Sequence, residues 1–160
     1  MKQLTLLVMS LAFVGACSKK DGDGASSSKA AEAKPAAVKL DKLGVQLDIS
    51  GDSSVSDGLG ANAQMITGEA IGAMQVEATD KPQTIDEAKS DAAMYSPKNL
   101  KADALADGWA VTYDNKGSMG ANYFVTVRRD IGGKTYNCTT TGSKPEQATA
   151  VLAACKSLRK

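Results

Sequence analysis

Two cysteines near the end of this 160-residue chain restrict its fold more than any other pair of side chains. In residues 134–141, Tyr136, Cys138 and Thr140 fall in phase at the two-residue period of a strand. Cys155 obeys a different period: Ala148, Val151, Leu152, Cys155 and Leu158 make one apolar helical stripe. A bond between the two thiols would rivet that terminal helix onto the strand before it. Closing a loop of this size stabilises a fold by about 3 kcal/mol in the chain-entropy picture. Two buried reduced thiols, or a redox-active pair, are the alternatives. A redox pair needs close spacing and a depressed thiol pKa, and neither is visible around these residues.

The amino terminus bears on that choice. Lys2 is the only charge in residues 1–16, residues 4–14 are an apolar run, and Gly15-Ala16 are small. A positive start, an apolar run and small residues at its end mark a secretory leader. The run is too short for a membrane-spanning helix, which needs about 20 residues. Val14-Gly15-Ala16-Cys17 resembles the lipobox of bacterial lipoproteins: aliphatic, small, small, cysteine. The resemblance implies a diacylglyceryl group on the Cys17 sulfur, a leader cut just before it, and an acylated new amino terminus. Two or three acyl chains, at ~0.8 kcal/mol per buried methylene, make such attachment permanent in practice. An ordinary cleaved leader, or an unprocessed one, would leave Cys17 unmodified. Ser18 after the cysteine implies sorting to the outer membrane, facing the periplasm. With Cys17 committed to lipid, Cys138 and Cys155 remain as a pair in a compartment that permits disulfides.

Charge and composition exclude some functions. The chain has 19 basic and 18 acidic side chains, and removing Lys2 with the leader makes the two signs equal. A neutral domain lacks the basic face expected of a nucleic-acid binder. There is no histidine, so the commonest general base and metal ligand are missing. These features read as a non-enzyme with no catalytic residue, metal or cofactor. A Ser–Lys hydrolytic dyad is conceivable, but nothing singles out a pair. Asp21-Gly22-Asp23-Gly24 lacks the further oxygens that a calcium loop needs. Asp48, Asp52 and Asp57 could hold a cation, yet Asp, Ser and Gly are also ordinary turn residues. Gly58-Leu59-Gly60 reads as a turn rather than a phosphate cradle. Arg128-Arg129 points to opposite faces of a strand and reads as solvated. Trp109 and Tyr113 are either core or an exposed aromatic patch, with core favoured.

The organisation that follows is a leader over residues 1–16, a lipidated Cys17 with a Gly/Ser/Ala/Lys-rich linker to residue 39, and one domain over residues 40–160. Alternation predicts a strand over 45–49, then turn formers, then a hairpin of 64–69 with 73–79. Thr84-Ile85-Asp86-Glu87 is a capping box opening a helix with Ile85, Ala88, Ala92 and Tyr95 on one face, stopped by Ser96-Pro97. Strands follow over 100–105, 109–114, 121–130 and 134–141, the first pair turning through Asp107-Gly108. Ser143-Lys144-Pro145-Glu146 reads as a second capping box, with proline in the first turn of the last helix.

The expected class is therefore α+β: an antiparallel sheet of about six strands with helices packed on it. Residues 43–49, the helix from Thr84 and the final helix over 148–158 resemble the PsbP-like fold, shared with Ran-binding Mog proteins. That resemblance implies an α/β/α sandwich and carries no binding site with it. Read together, the features point to a membrane-anchored envelope lipoprotein that binds another envelope component. A small-molecule or lipid binder with a cleft between sheet and helix is the second reading, and a histidine-free hydrolase the third.

Overall fold

A computed structural model describes residues 34–160. The leader, Cys17 and the Asp21-Gly22-Asp23-Gly24 segment lie outside the described residues. The fold is α+β. Its main sheet has seven antiparallel strands: β3 (Ser53–Asp57), β4 (Ala63–Gly68), β5 (Gly72–Thr79), β6 (Lys98–Leu105), β7 (Gly108–Gly117), β8 (Gly120–Ile131) and β9 (Lys134–Gly142). Their order across the sheet is β3-β4-β5-β9-β8-β7-β6. A separate two-stranded sheet pairs β1 (Ala36–Leu40) with β2 (Val45–Ile49). The helices are α1 (Ile85–Ala93) and α2 (Pro145–Lys156).

The main sheet has seven strands where about six were expected, and the strand over 45–49 lies in the separate small sheet. The two strands beyond the predicted ranges, β1 and β3, had no local signal. β1 begins inside the stretch read as linker, and β3 lies inside the run of turn formers. Each is a strand because a partner supplies the ladder: β2 fixes β1, and β4 fixes β3 at the sheet edge.

One face of the main sheet is sealed. Ile66, Met74, Val76, Val125, Val127 and Cys138 project from it and are buried. Val151, Ala154 and Cys155 of α2 and Leu158 just beyond it cover these residues, together with Leu40, Val45, Leu47 and Ile49 from the small sheet. Ala154 is thus part of the buried stripe, while Leu152, expected there, is only half-buried. The small sheet is pinned by the chain's end. Gln46 and Arg159 exchange backbone hydrogen bonds at 2.8 and 2.9 Å, and Asp48 takes the Arg159 guanidinium at 2.7 and 3.0 Å.

The opposite face meets α1, which packs on β7. Trp109 and Val111 are buried there against Ala88, with Ile85 and Tyr113 beside them. The Trp109 indole N–H donates to the Gln83 carbonyl at 3.1 Å, tying the helix entrance to the sheet. The capping box of α1 is formed in full: Thr84 Oγ1 accepts from the Glu87 amide at 3.2 Å, and Glu87 accepts from the Thr84 amide at 2.7 Å. The Thr84 amide hydrogen bond, followed by the hydroxyl one, lowers the Glu87 pKa.

The second capping box does not form. Lys144, not Ser143, is the N-cap of α2, and no side chain caps it. Pro145 occupies the first helical position and disfavours the helical region for the residue before it. Lys144 is accordingly extended, at φ −128° and ψ 134°. The helix therefore starts one residue too late for the Ser143 hydroxyl.

Candidate functional site

Cys138 and Cys155 are joined by a disulfide, with Cα atoms 5.8 Å apart. Both residues are wholly inaccessible to solvent, so the bond is closed to an outside thiol and acts as a rivet between β9 and α2. Close to it, Arg129 corrects the reading of Arg128-Arg129 as solvated. The Arg129 guanidinium makes a two-pronged pair with Asp107, both contacts at 2.8 Å. It also donates to the last carbonyls of α2, at Cys155 and Lys156. The side chain is therefore a clamp joining the β6–β7 turn, β8 and the carboxyl end of α2, where a cation complements the helix dipole. The hydrogen bond from Arg129 holds the Asp107 carboxyl below the usual carboxylate range. Arg128, on the other face, donates to the Gln83 carbonyl at 3.3 Å and to Asp130 at 2.7 Å.

The three aspartates singled out for a cation are not gathered. Asp48 is taken by Arg159 and Asp57 by Lys42 at 2.9 Å, while Asp52 lies exposed in the turn before β3. Among the described residues no three carboxylate or thiol groups are grouped to hold a metal. Gly58-Leu59-Gly60 is a turn whose Leu59 amide donates to Gln75 at 2.8 Å.

What the pairing register does assemble is a polar and aromatic surface on the face bearing α1. Strict alternation and antiparallel registry place Phe124, Thr126 and Arg128 of β8 in one field with Asn137, Thr139 and Thr141 of β9. Gln75 and Glu77 of β5 and Met65 of β4 extend it. None of these side chains is buried. The helix α1 sits over β6 and β7, and among the described residues no helix covers the field on β8, β9, β5 and β4, whose side chains are partly exposed.

An aromatic stack borders it. Tyr113 and Phe124 are direct cross-strand partners, with ring centroids 4.4 Å apart and planes 9° from parallel. Tyr95, just past α1, lies 5.8 Å from Phe124 and 6.4 Å from Tyr113. Its carbonyl accepts from Asn115 at 3.1 Å, and Asn115 accepts in turn from Asn122 at 2.9 Å. Burial, then the neighbouring Tyr95 and Asp91, raises the Tyr113 pKa, so the phenol stays neutral. The arrangement offers flat apolar rings beside hydroxyl and amide groups, the make-up of a binding surface rather than of a reacting centre.

No protein-family model matches this chain, and no curated protein is significantly similar to it in sequence.

A second feature lies on the sealed face, where α2 stops short of the outer strands. A cleft of about 380 Å³ runs between Ala148, Thr149 and Leu152 of α2 and Lys101, Thr112 and Tyr123 of the sheet. A cleft between sheet and helix is the second reading of the sequence, which names none of its lining residues, and Tyr113 reads there as core before patch. Tyr95, Tyr113 and Phe124 come from three elements, and only the β7–β8 register brings them together.

Proposed function

We propose that this chain is a membrane-anchored envelope lipoprotein whose domain is a non-enzymatic binding module of the PsbP-like α/β/α kind. The anchor is the acylated Cys17, and the address is the outer membrane facing the periplasm. Helices on opposite faces of the sheet, α1 over Trp109 and Val111 and α2 over Val127 and Cys138, support the sandwich. The single observation that carries the binding role is the Tyr113–Phe124 stack beside a partly exposed field of Thr126, Thr139 and Gln75 that no described helix covers. Antiparallel sheets often leave one face to solvent, and what supports binding at this one is flat aromatic area set beside hydrogen-bonding groups.

Intact mass of the protein extracted from its native membrane tests the anchor: a chain beginning at Cys17 with acyl additions is expected, and an unmodified Cys17 refutes it. Capture from envelope extract tests the surface. Saturable retention of one envelope component is expected for the wild-type protein. It should disappear in Thr126→Lys/Thr139→Lys, which alters the field while leaving the sealed core intact. Equal retention by that variant refutes the assignment of binding to this face.

The α2–sheet cleft favours a second reading, a small-molecule or lipid binder. Native mass spectrometry should then detect a retained ligand that Ala148→Trp expels.

A further inference from the structure

Six large apolar side chains are exposed among the described residues, and four of them share one corner of the molecule: Met94, Tyr95, Leu100 and Met119. Met119 is fully exposed, at 101%, and Met94 is 74% exposed. The corner is where the end of α1, the start of β6 and the β7–β8 turn converge. The Asn115 bond to the Tyr95 carbonyl and the Asn99 bond to Asp114, at 2.7 Å, tie these three segments together. Burying such side chains is favourable, and leaving four of them in water is costly unless something covers them.

The charge of the same corner says what kind of cover it suits. The corner carries Lys98, Lys101 and Lys116 against one carboxylate, Asp114, which is half-buried, accepts from Asn99 and lies opposite Lys98 on β7. All three lysines are exposed. The backbone is also set in an uncommon shape here. Ser96 and Asn99 are the only non-glycine residues with positive φ among the described residues, both at 51°. The two bends flank Lys98, and Leu100 follows the second, where β6 begins and its register on β7 shifts.

The chain enters the domain at the same end as this corner. Pro35 lies beside Ile49, Ser50 and Ile71, so the chain enters at the end of the sheet that carries the β4–β5 turn. Antiparallel order puts the β7–β8 turn, with Met119, at that same end. Between Cys17 and Lys34 lie sixteen residues, which span at most about 55 Å when fully extended.

We propose that this corner is a second, reversible membrane contact: Met94, Tyr95, Leu100 and Met119 enter the interface of an anionic phospholipid surface while Lys98, Lys101 and Lys116 face its headgroups. The choice of a lipid surface as the partner rests on the reading of Cys17 as acylated. Apolar tips flanked by lysines are the composition that interfacial binding rewards, and each lysine strengthens binding to an anionic leaflet roughly five-fold. Docking at the entry end would leave the opposite end of the sheet, with the Asp107–Arg129 clamp, facing away from the bilayer.

The test uses the full exported chain, reconstituted in vesicles of phosphatidylcholine alone or mixed with phosphatidylglycerol. Amide hydrogen exchange over residues 94–101 and 115–122 is expected to slow on the anionic vesicles only, with residues 53–57 of β3 as the internal reference. Lys98→Glu/Lys116→Glu should abolish that protection, and Met119→Ser should reduce it. Met119→Ser alters a fully exposed side chain and should leave the melting temperature unchanged; Lys98→Glu sets a carboxylate opposite Asp114, so a small drop is expected and exchange is read well below the transition. Equal exchange on both vesicle types overturns the proposal, as does protection that survives the charge reversal. Protection that requires envelope protein and not lipid also overturns it, assigning the corner to a protein partner. If intact mass finds Cys17 unmodified, the anchor reading falls by itself. The corner is then judged by co-sedimentation of the unanchored protein with the anionic vesicles: roughly twenty-fold weaker sedimentation of the double lysine variant supports it, and no sedimentation of the wild type overturns it.

Discussion

The two helices lie on opposite faces of one sheet and are held there by different means. The first, α1, is short and buries only Ala88 and Ala92; its entrance is fixed by a reciprocal Thr84–Glu87 cap and by the Trp109 indole. The second, α2, has no side-chain cap, and its partners are remote in sequence: Cys138 in β9, Arg129 in β8, and the small sheet formed by the first described strands. Local hydrogen bonds stabilise a helix end by about 1 kcal/mol, whereas a crosslink and a buried apolar stripe act on the whole fold. Similar start signals in the sequence thus serve very different attachments. One helix is placed by its own first turn, the other by what it touches.

The largest effect should come from cutting the rivet. Cys138→Ala/Cys155→Ala should lose about 3 kcal/mol in urea unfolding followed at equilibrium. A loss below about 1 kcal/mol would mean that the apolar stripe alone holds α2, and the contrast between the helices would shrink. Next in size is Arg129→Ala, expected to cost about 2 kcal/mol because it removes charged hydrogen bonds to Asp107 and to the end of α2. Arg129→Lys should recover only part of this, since the two-pronged geometry needs a guanidinium. Thermal melts of the three proteins check the order. Thr84→Ala should cost about 1 kcal/mol, with faster amide exchange in α1 and unchanged exchange in α2. Simultaneous loosening of both helices would break the distinction.

The smallest effect is on pH dependence. Asp107 and Glu87 have folded-state pKa values below their ordinary ones. A carboxylate lowered in this way contributes stability above its unfolded-state value, and that contribution is lost as pH falls through the folded-state value. The protein should therefore keep its stability down to about pH 4 and lose it progressively below. The acid limb should be shallower in Arg129→Ala, whose Asp107 has no guanidinium partner. An unchanged limb would remove the clamp from the electrostatic account.

These contrasts explain what could be read in advance. The strand over 45–49, the hairpin around Ile71, the Thr84 cap and most of the α2 stripe are signals that a few neighbouring residues carry, and they stand where their periods put them. Ala36–Leu40 and Ser53–Asp57 carry none, because small, hydroxyl and charged residues become strands only when a partner strand pairs with them. Ser143 failed as a cap for a local reason that outranked it, the restriction Pro145 places on Lys144. Arg129 looked solvated because nothing nearby in sequence announces Asp107 or the end of α2. The aromatic stack was hidden for the same reason. Tyr113 and Phe124 meet only through the register of β7 on β8, which alternation alone does not set.

The outer strand β6 has a consequence for neighbouring copies of the molecule. Its side chains are almost entirely exposed, and its pairing with β7 shifts register between Lys98 and Lys101, at the positive-φ Asn99. An unguarded border of this length would invite strand-on-strand stacking wherever many copies crowd together. The irregularity interrupts the row of free amides and carbonyls, and the two lysines repel a like border brought alongside. Straightening it, by deleting Asn99 and replacing both lysines with threonine, should turn a dispersed protein into one that self-associates.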